Sequence, residues 1–448
     1  MSLLDKATII TTPTAHSNGK LHSIKGGAVA DFDVVRGSAA TRVNAEGLIE
    51  DISVLSGELV TNGDFVNGST GWSKGTGWSI ENGSATLDGT QNAASALGSS
   101  GMSVVSGKTY KIVVNVLSKS SGFRIYDTDG VLAYGLSVGE NVFYKTVSSA
   151  TYQITPLGLS GSTGSITNIS IKEVIDATNI PRIDYTTGEG VILTEPQSTN
   201  LVVNSELNNV ENIVVSAVSY TISFYGTGSI TLSGTHTATL VGTGASDRVS
   251  LTFTPAAGTL ICTDSGIVDK KQLEALSYST SYIPTSGAIA TRLADAVTGA
   301  GDATTINSTE GVLYAEIAAL ANDGTNRAIS IDDGSLGNSI NLFYTGGISD
   351  NSIRALILSG SITQATMDYT LNVTDNHKIA ISYAENNFAL WVDGVKVLTD
   401  SSGNAPIGLN NITFSQGGGG SPFYGKTKTI AVFSEALTDE ELTCLTTI

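Results

Sequence analysis

Cysteine is nearly absent: Cys262 and Cys444 are the only two in 448 residues. Two thiols cannot supply a disulfide framework or a thiolate metal site, and at most they form one bridge. Histidine is as scarce, with His16, His22, His236 and His377 scattered without metal-ligand spacing. Charged residues make up only 14%, well below the usual quarter. The basic sign is the scarcer one, 23 Lys and Arg against 41 Asp and Glu, for a net charge of −18. A surface this acidic repels phosphate, which argues against nucleic-acid binding through a basic face. No apolar run approaches the roughly 20 residues of a membrane span, so no membrane insertion is expected. The opening MSLLDKATIITT has no apolar core beside Asp5 and Lys6 and does not read as a secretion signal.

Glycine is plentiful, at 50 residues, and the hydrophobic content is 40%. That much apolar side chain separates the sequence from a disordered acidic tail. Abundant Gly, Ser and Thr with few long-chain helix formers point to strands and many turns. The length allows roughly three domains at about 150 residues each. The expected fold class is all-β: tandem antiparallel β-sandwich (jelly-roll) domains with an extended N-terminal segment.

The pattern along the chain suggests four parts. Residues 1–50 have little periodicity and read as an attachment or assembly segment. Residues 51–176 carry strand-like runs at 109–117, 123–127, 141–147 and 166–174. In the first of these Ile112, Val114 and Val116 share one face, as period-2 alternation requires of a half-buried strand. Residues 177–294 combine a Pro-containing connector, 179–200, with a smaller set of strands at 220–226, 229–234, 237–242 and 248–255. Residues 295–448 hold the clearest pattern. Ile379, Ile381 and Tyr383 alternate, Asn386-Asn387 can turn, Phe388, Leu390 and Val392 alternate, and Asp393-Gly394 signals a two-residue hairpin. Thr438-Asp439-Glu440-Glu441 is a capping box before a short helix.

Several strings imitate catalytic motifs. Gly420 to Thr427 matches the phosphate-loop pattern G-x4-G-K-T, but that mechanism needs a following helix. The residues after it, Thr429 to Phe433, are β-branched or aromatic and read as strand. Two G-x-S-x-G strings, Gly71–Gly75 and Gly135–Gly139, lack the strand-turn-helix and histidine partner of a nucleophile elbow. A glycosidase carboxylate pair needs no fixed sequence spacing, so sequence alone leaves it open. Asp127/Asp129 and Asp332/Asp333 are fragments of a Ca²⁺ loop at best and fit turn formation better. No cofactor is expected, with structural Ca²⁺ left open. Trp72 and Trp78, in a Gly/Ser/Thr-rich stretch, and Tyr126 are the candidate sugar-stacking aromatics; plugging a sandwich core is the competing role for a tryptophan at a strand start. Trp391, between Leu390 and Val392, is expected to pack in a core.

Three ordered junctions resemble those of tailed-bacteriophage virion structural proteins. They are Thr41 to Ile49 ("TRVNAEGLI"), Ile180 to Tyr185 followed by Leu193 to Leu201 ("IPRIDY…LTEPQSTNL"), and Gln272-Leu273-Glu274 with Ser281 to Thr285 and Ala290 to Arg292 ("QLE…SYIPT…ATR"). The modules between them resemble carbohydrate-binding-module jelly rolls. The last block, through "IAVFSEALTDEEL", is similar to a concanavalin A-like/laminin G-like sandwich. The resemblance implies a non-enzymatic virion surface protein, a tail or head fibre or capsid decoration. Its implied partners are other virion proteins and host-surface polysaccharide, and it implies a homo-oligomer, a trimer above all. No catalytic residue carries over. A polysaccharide depolymerase or glycosidase with carbohydrate-binding modules, and a purely structural capsid-stabilising protein, are the alternatives.

Overall fold

The computed structural model describes residues 3–99, 104–127, 130–133, 136–149, 153–345 and 351–447. The fold is all-β, built of antiparallel sheets, with one α-helix among the described residues, Asp439–Thr446. The chain divides into two compact units: Ser53–Ala177, and Met1–Ile52 together with Thr178–Ile448.

Ser53–Ala177 is a two-sheet sandwich. One sheet runs Gly139–Thr146, Thr109–Lys119, Thr163–Asp176, Ser84–Asp88, Trp78–Glu81, with Val54–Leu55 added beside Thr163–Asp176. The other runs Gly130–Ala133, Phe123–Asp127, Ile154–Gly158, Ser95–Ser99, Trp72–Lys74. Tyr110, Ile112, Val114 and Val116 all face the core, so the alternation read from the sequence sets which side is buried. Gly164 lies against the Phe123 ring, where a Cβ would come within 2.3 Å of a ring carbon. That close approach requires glycine.

The second unit contains two sandwiches. In the smaller, Val210–Val215, Gly258–Ser265, Ser229–Gly234 and Ala238–Val241 face Gly244–Phe253, Tyr220–Gly226 and Asp269–Glu274. Ile222, Phe224, Ile230, Leu232 and Leu273 fill its core. In the larger, a five-stranded sheet (Ile362–Thr370, Ser352–Ser359, Ser339–Thr345, Arg327–Asp332, Asn411–Thr413) faces an eleven-stranded one.

The eleven-stranded sheet draws on three distant parts of the sequence. Its Gly425–Phe433 strand pairs along one edge with Glu310–Ala319. Along the other edge its second half pairs with Ala7–Thr11 and its first half with Ile192–Thr194. Residues 1–50 are thus not a separate extended segment here: Ala7–Ser17, Lys20–Ser23 and Phe32–Val35 are strands of the last sandwich. Ile9, Leu21, Phe32 and Val34 lie in one core with Leu313, Ile379 and Ile430. Short strands broken at Gly19 and at Gly26-Gly27 hide this periodicity in the sequence, although burying those side chains requires a partner sheet. The connector likewise is a hairpin, Arg182–Asp184 with Val191–Thr194, and belongs to the same sheet.

The C-terminal meander follows its pattern closely. His377–Ala384, Asn387–Val392 and Val395–Asp400 are consecutive antiparallel strands. The second turn has φ of 49° at Asp393 and 84° at Gly394, the type I′ geometry that matches strand twist. The first turn sits one residue earlier than expected, at Glu385-Asn386. The helix has the full capping box: Glu441 N–H donates to Thr438 Oγ1 and Thr438 N–H to the Glu441 carboxylate. Leu437 and Leu442 cover Trp391, Ala380 and Ala389, so this part of the sheet is buried on both faces.

Candidate functional site

Trp72 and Trp78 are core residues, 7% and 6% exposed. The Trp72 ring lies 5.2 Å from Phe65 and its Nε1–H donates to Asn62 O at 2.9 Å. Trp78 lies 5.9 Å from Phe123 and donates to Ser95 O. The two indoles stand on opposite sheets, each plugging the sandwich with its one polar group satisfied. Neither offers a ring face to a sugar, which corrects the stacking role expected for them. Tyr126 is placed differently. It is half-buried on the side of its strand away from Phe123 and Ile125, beside Arg124 and opposite Thr155.

The motif look-alikes resolve into turns and strands. Gly425–Phe433, after the phosphate-loop string, is a strand, as its β-branched residues predict. Ser73 is an exposed strand residue; of the second G-x-S-x-G string, Ser137 is exposed and Gly135 lies outside the described residues. Asp332 accepts from Ser330 Oγ, Gly334 N–H and Asn411 Nδ2, and Asp333 from Ser335 and Asn338, so both organise one turn. Asp129 lies outside the described residues. Among the described residues no group of three His, Cys, Asp or Glu side chains gathers as for a metal ion.

A cleft of about 260 Å³ lies between the smaller and larger sandwiches of the second unit. Its lining includes Arg42, Asp184, Glu195, Tyr225, Arg248, Tyr278, Tyr282 and Lys426. The hairpin Thr41–Val43/Ile49–Asp51 forms one lip. Asn44 Oδ1 closes its turn by accepting from Glu46 and Leu48 N–H. Thr41 Oγ1 donates to Tyr282 O at 2.6 Å, and Val43 N–H to Asp184 Oδ2 at 2.9 Å, pinning the lip to both neighbours. Arg248 stands over the Tyr225 ring at 5.9 Å and donates to Ser223 Oγ and Thr280 O. Burial raises the Tyr225 hydroxyl and pushes Tyr278 up to about 12, so both rings stay protonated donors at neutral pH.

A buried ion cluster gathers around Glu195, the one member of it that lines the cleft. Arg36, Arg182, Arg292, Glu195 and Asp295 are each at most 5% exposed. Arg182 bridges Glu195 and Asp295, Arg292 also donates to Glu195, and Arg36 Nη1 reaches Asp295 at 2.9 Å. Ser281 adds its N–H and Oγ–H to Glu195 at 2.8 and 2.7 Å. Burial alone would raise the Glu195 carboxyl, but Arg182 and Arg292 hold it well below the usual carboxylate range. Three guanidiniums against two carboxylates leave the cluster with one excess positive charge.

Both carboxylates lining the cleft are committed. Glu195 is held ionised, and Asp184 accepts from Val43 and Thr186 N–H. No histidine lines the cavity.

None of the cleft residues was singled out as a site in the sequence, yet the signal was there. Arg42, Asp184, Glu195, Ser281, Tyr282 and Arg292 all fall within the three junction strings. Read as markers of module boundaries, those strings converge in space on the cleft and on the ion cluster around Glu195. Two Ala-Thr-Arg strings, Ala40-Thr41-Arg42 and Ala290-Thr291-Arg292, supply an arginine to the lip and another to the ion cluster around Glu195.

Residues 299–443 match the family model of the Concanavalin A-like lectin/glucanases superfamily. The matched span lies in the larger sandwich, which is thus similar to that superfamily's domains and also takes in strands from outside the match. No curated protein matches the chain. Similar solved structures include the Ruminococcus gnavus IT-sialidase CBM40 bound to α2,3-sialyllactose, at 19% identity, covering 34% of this chain and 94% of that one, with a TM-score of 0.28. The leech intramolecular trans-sialidase is 20% identical, covering 32% of this chain and 24% of that one, TM-score 0.28. The NanB sialidase K499G mutant of Streptococcus pneumoniae is 12% identical, covering 31% and 24%, TM-score 0.27.

Proposed function

We propose that this chain is a non-enzymatic glycan-contacting protein of a bacteriophage virion surface, a tail or head fibre or a capsid decoration. The observation that carries the glycan part is the cleft. Protonated tyrosines and fixed cations line a cavity of sugar size, and its carboxylates are already spent on structure. Aromatic faces with a few convergent polar groups are the usual makings of a saccharide site. Tyr126, with Arg124 beside it, offers a further contact face on the first sandwich. The virion part rests on the three junction strings. Docking to other virion proteins and assembly as a trimer belong to the same reading.

The test pairs a glycan array with an assay for reducing ends. Binding of host-surface polysaccharide without release of reducing ends supports the reading; release of reducing ends by the purified protein sinks it in favour of a depolymerase. Mass measurement of the purified chain in solution tests the trimer.

A further inference from the structure

The charge left unpaired in the cleft narrows its ligand, an inference that rests on the glycan-binding reading. Arg248 reaches only neutral oxygens: Ser223 Oγ from Nε at 3.2 Å and from Nη2 at 2.9 Å, and Thr280 O from Nη1. A guanidinium has five N–H groups, so donors remain. Among the described residues no carboxylate pairs with Arg248, and the Lys426 ammonium makes no side-chain hydrogen bond or ion pair, only the Lys426 backbone being paired in the sheet. Other cations nearby are satisfied, Arg42 by Glu50 at 2.9 Å and Lys428 by Glu189 at 2.7 Å. Two half-buried cations without an ion-pair partner therefore line one cavity, together with Asp184, whose carboxylate is held by the Val43 and Thr186 N–H groups.

This is unusual in a chain of net charge −18 with 41 Asp and Glu to draw on. An unpaired, partly desolvated cation is unfavourable, and a cavity focuses the potential of its walls. Both features are what an anionic ligand would use. The fork of a guanidinium matches the two oxygens of a carboxylate, and Tyr225, already under Arg248, presents a ring within the same lining.

We infer that the cleft takes one pyranose residue bearing a carboxylate, held by Arg248 and Lys426, with its apolar face toward the tyrosines. Such a residue is either a hexuronate or a nonulosonate.

Ligand-observed NMR titration of the full chain decides the matter. The probes are D-glucuronate, its methyl ester, N-acetylneuraminate and D-glucose. At least one of the two acids should bind at least tenfold more tightly than the ester and glucose, and which acid wins names the source. Arg248→Met and Lys426→Met should each weaken that acid at least tenfold. Lys426→Met removes no internal partner, so it reads the site even if Arg248→Met fails to fold, which melting curves will show. Equal binding of acid and ester, or unchanged affinity in Lys426→Met, overturns the inference. If the array shows only neutral glycans bound, this inference falls and the glycan reading stands. If no sugar binds in either format, both fall.

Discussion

Arg182 and Glu195 meet across the base of the 182–194 hairpin as a buried ion pair. The cluster they anchor ties the hairpin to Ser281 and Arg292 beside the smaller sandwich and to Arg36 and Asp295 near the larger. Three buried nitrogens, Arg36 Nη2, Arg182 Nε and Arg292 Nε, have no partner. A cluster this imperfectly satisfied contributes less to stability than its ion pairs suggest, but breaking it is expensive, because it strands charge in a dry interior. Glu195→Gln should therefore cost about 3–5 kcal/mol in urea denaturation of the second unit.

The same carboxylate sets an acid limit. Its proton affinity in the folded chain lies below its ordinary value of 4.5. Above about 4.5 both folded and unfolded forms are ionised, and the full contribution of the ion pair is present. As pH falls below that, the unfolded chain binds the proton first and stability is lost progressively toward the lowered folded value. A plot of unfolding free energy against pH should fall steeply below 4.5 in the wild type and less steeply in Glu195→Gln. Parallel curves would mean that Glu195 is not the titrating group.

Trp78 closes one end of the first sandwich against Phe123 and Leu87, and Trp72 the other side against Phe65. Trp78→Ala should destabilise residues 53–177 by about 3–5 kcal/mol, the usual cost of emptying an aromatic core position. Urea unfolding with a probe in that sandwich measures it. A variant that stays as stable as wild type and loses only glycan affinity would return Trp78 to the binding role.

These cases show where sequence reading reached and where it stopped. Alternation in 109–117 and in the 377–400 meander gave strands, faces and one turn to the residue, because each strand buries one face and its turns are local. The capping box at Thr438 was equally local. Residues 1–35 escaped because the partners that anchor them, Ile430–Phe433 for Ala7–Thr11 and Ala296–Thr298 for Phe32–Val35, lie hundreds of positions away and their strands are cut by glycines. Trp72 and Trp78 were placed in the right stretch with the wrong side outward, since tryptophan at a strand start satisfies both patterns. The cleft was invisible as a cavity, being made by three junctions that meet only in the folded chain.

Thr438 closes the C-terminal helix, accepting from Glu441 N–H while Glu441 accepts from Thr438 N–H and from Lys6. Thr438→Ala should cost about 1 kcal/mol, typical of a lost N-cap. The helix covers Trp391, so loosening it should also shift tryptophan fluorescence before global unfolding. Loss of stability without that shift would uncouple the helix from the sheet beneath.

Cys262 is buried in the smaller sandwich and Cys444 is exposed on the helix, and the two are not bonded. Burial, reinforced by Asp264, pushes the Cys262 thiol up to about 12. Since the thiolate is the reactive form, a thiol reagent at pH 8 should label one cysteine per native chain and two after unfolding, with peptide mapping locating the first at Cys444. Rapid labelling of both would show that the smaller sandwich opens readily.

Residues 53–177 form a compact unit inserted between two segments of the other. The chain leaves at Ile52, whose N–H donates to Ala40 O, and returns through Asn179, whose N–H donates to Arg36 O. Departure and return are thus anchored to one short stretch, and a brief linker can join them. Domains inserted at such neighbouring termini are commonly separable. Replacing 53–177 by a short Gly/Ser linker should leave a monodisperse all-β protein with cooperative unfolding and the same Cys444-only labelling. Both halves of the Gly425–Phe433 edge keep their partners in that variant, because Ala7–Thr11 and Ile192–Thr194 remain. An aggregated or molten product would instead show that the inserted sandwich is needed to bring residues 1–52 onto the sheet.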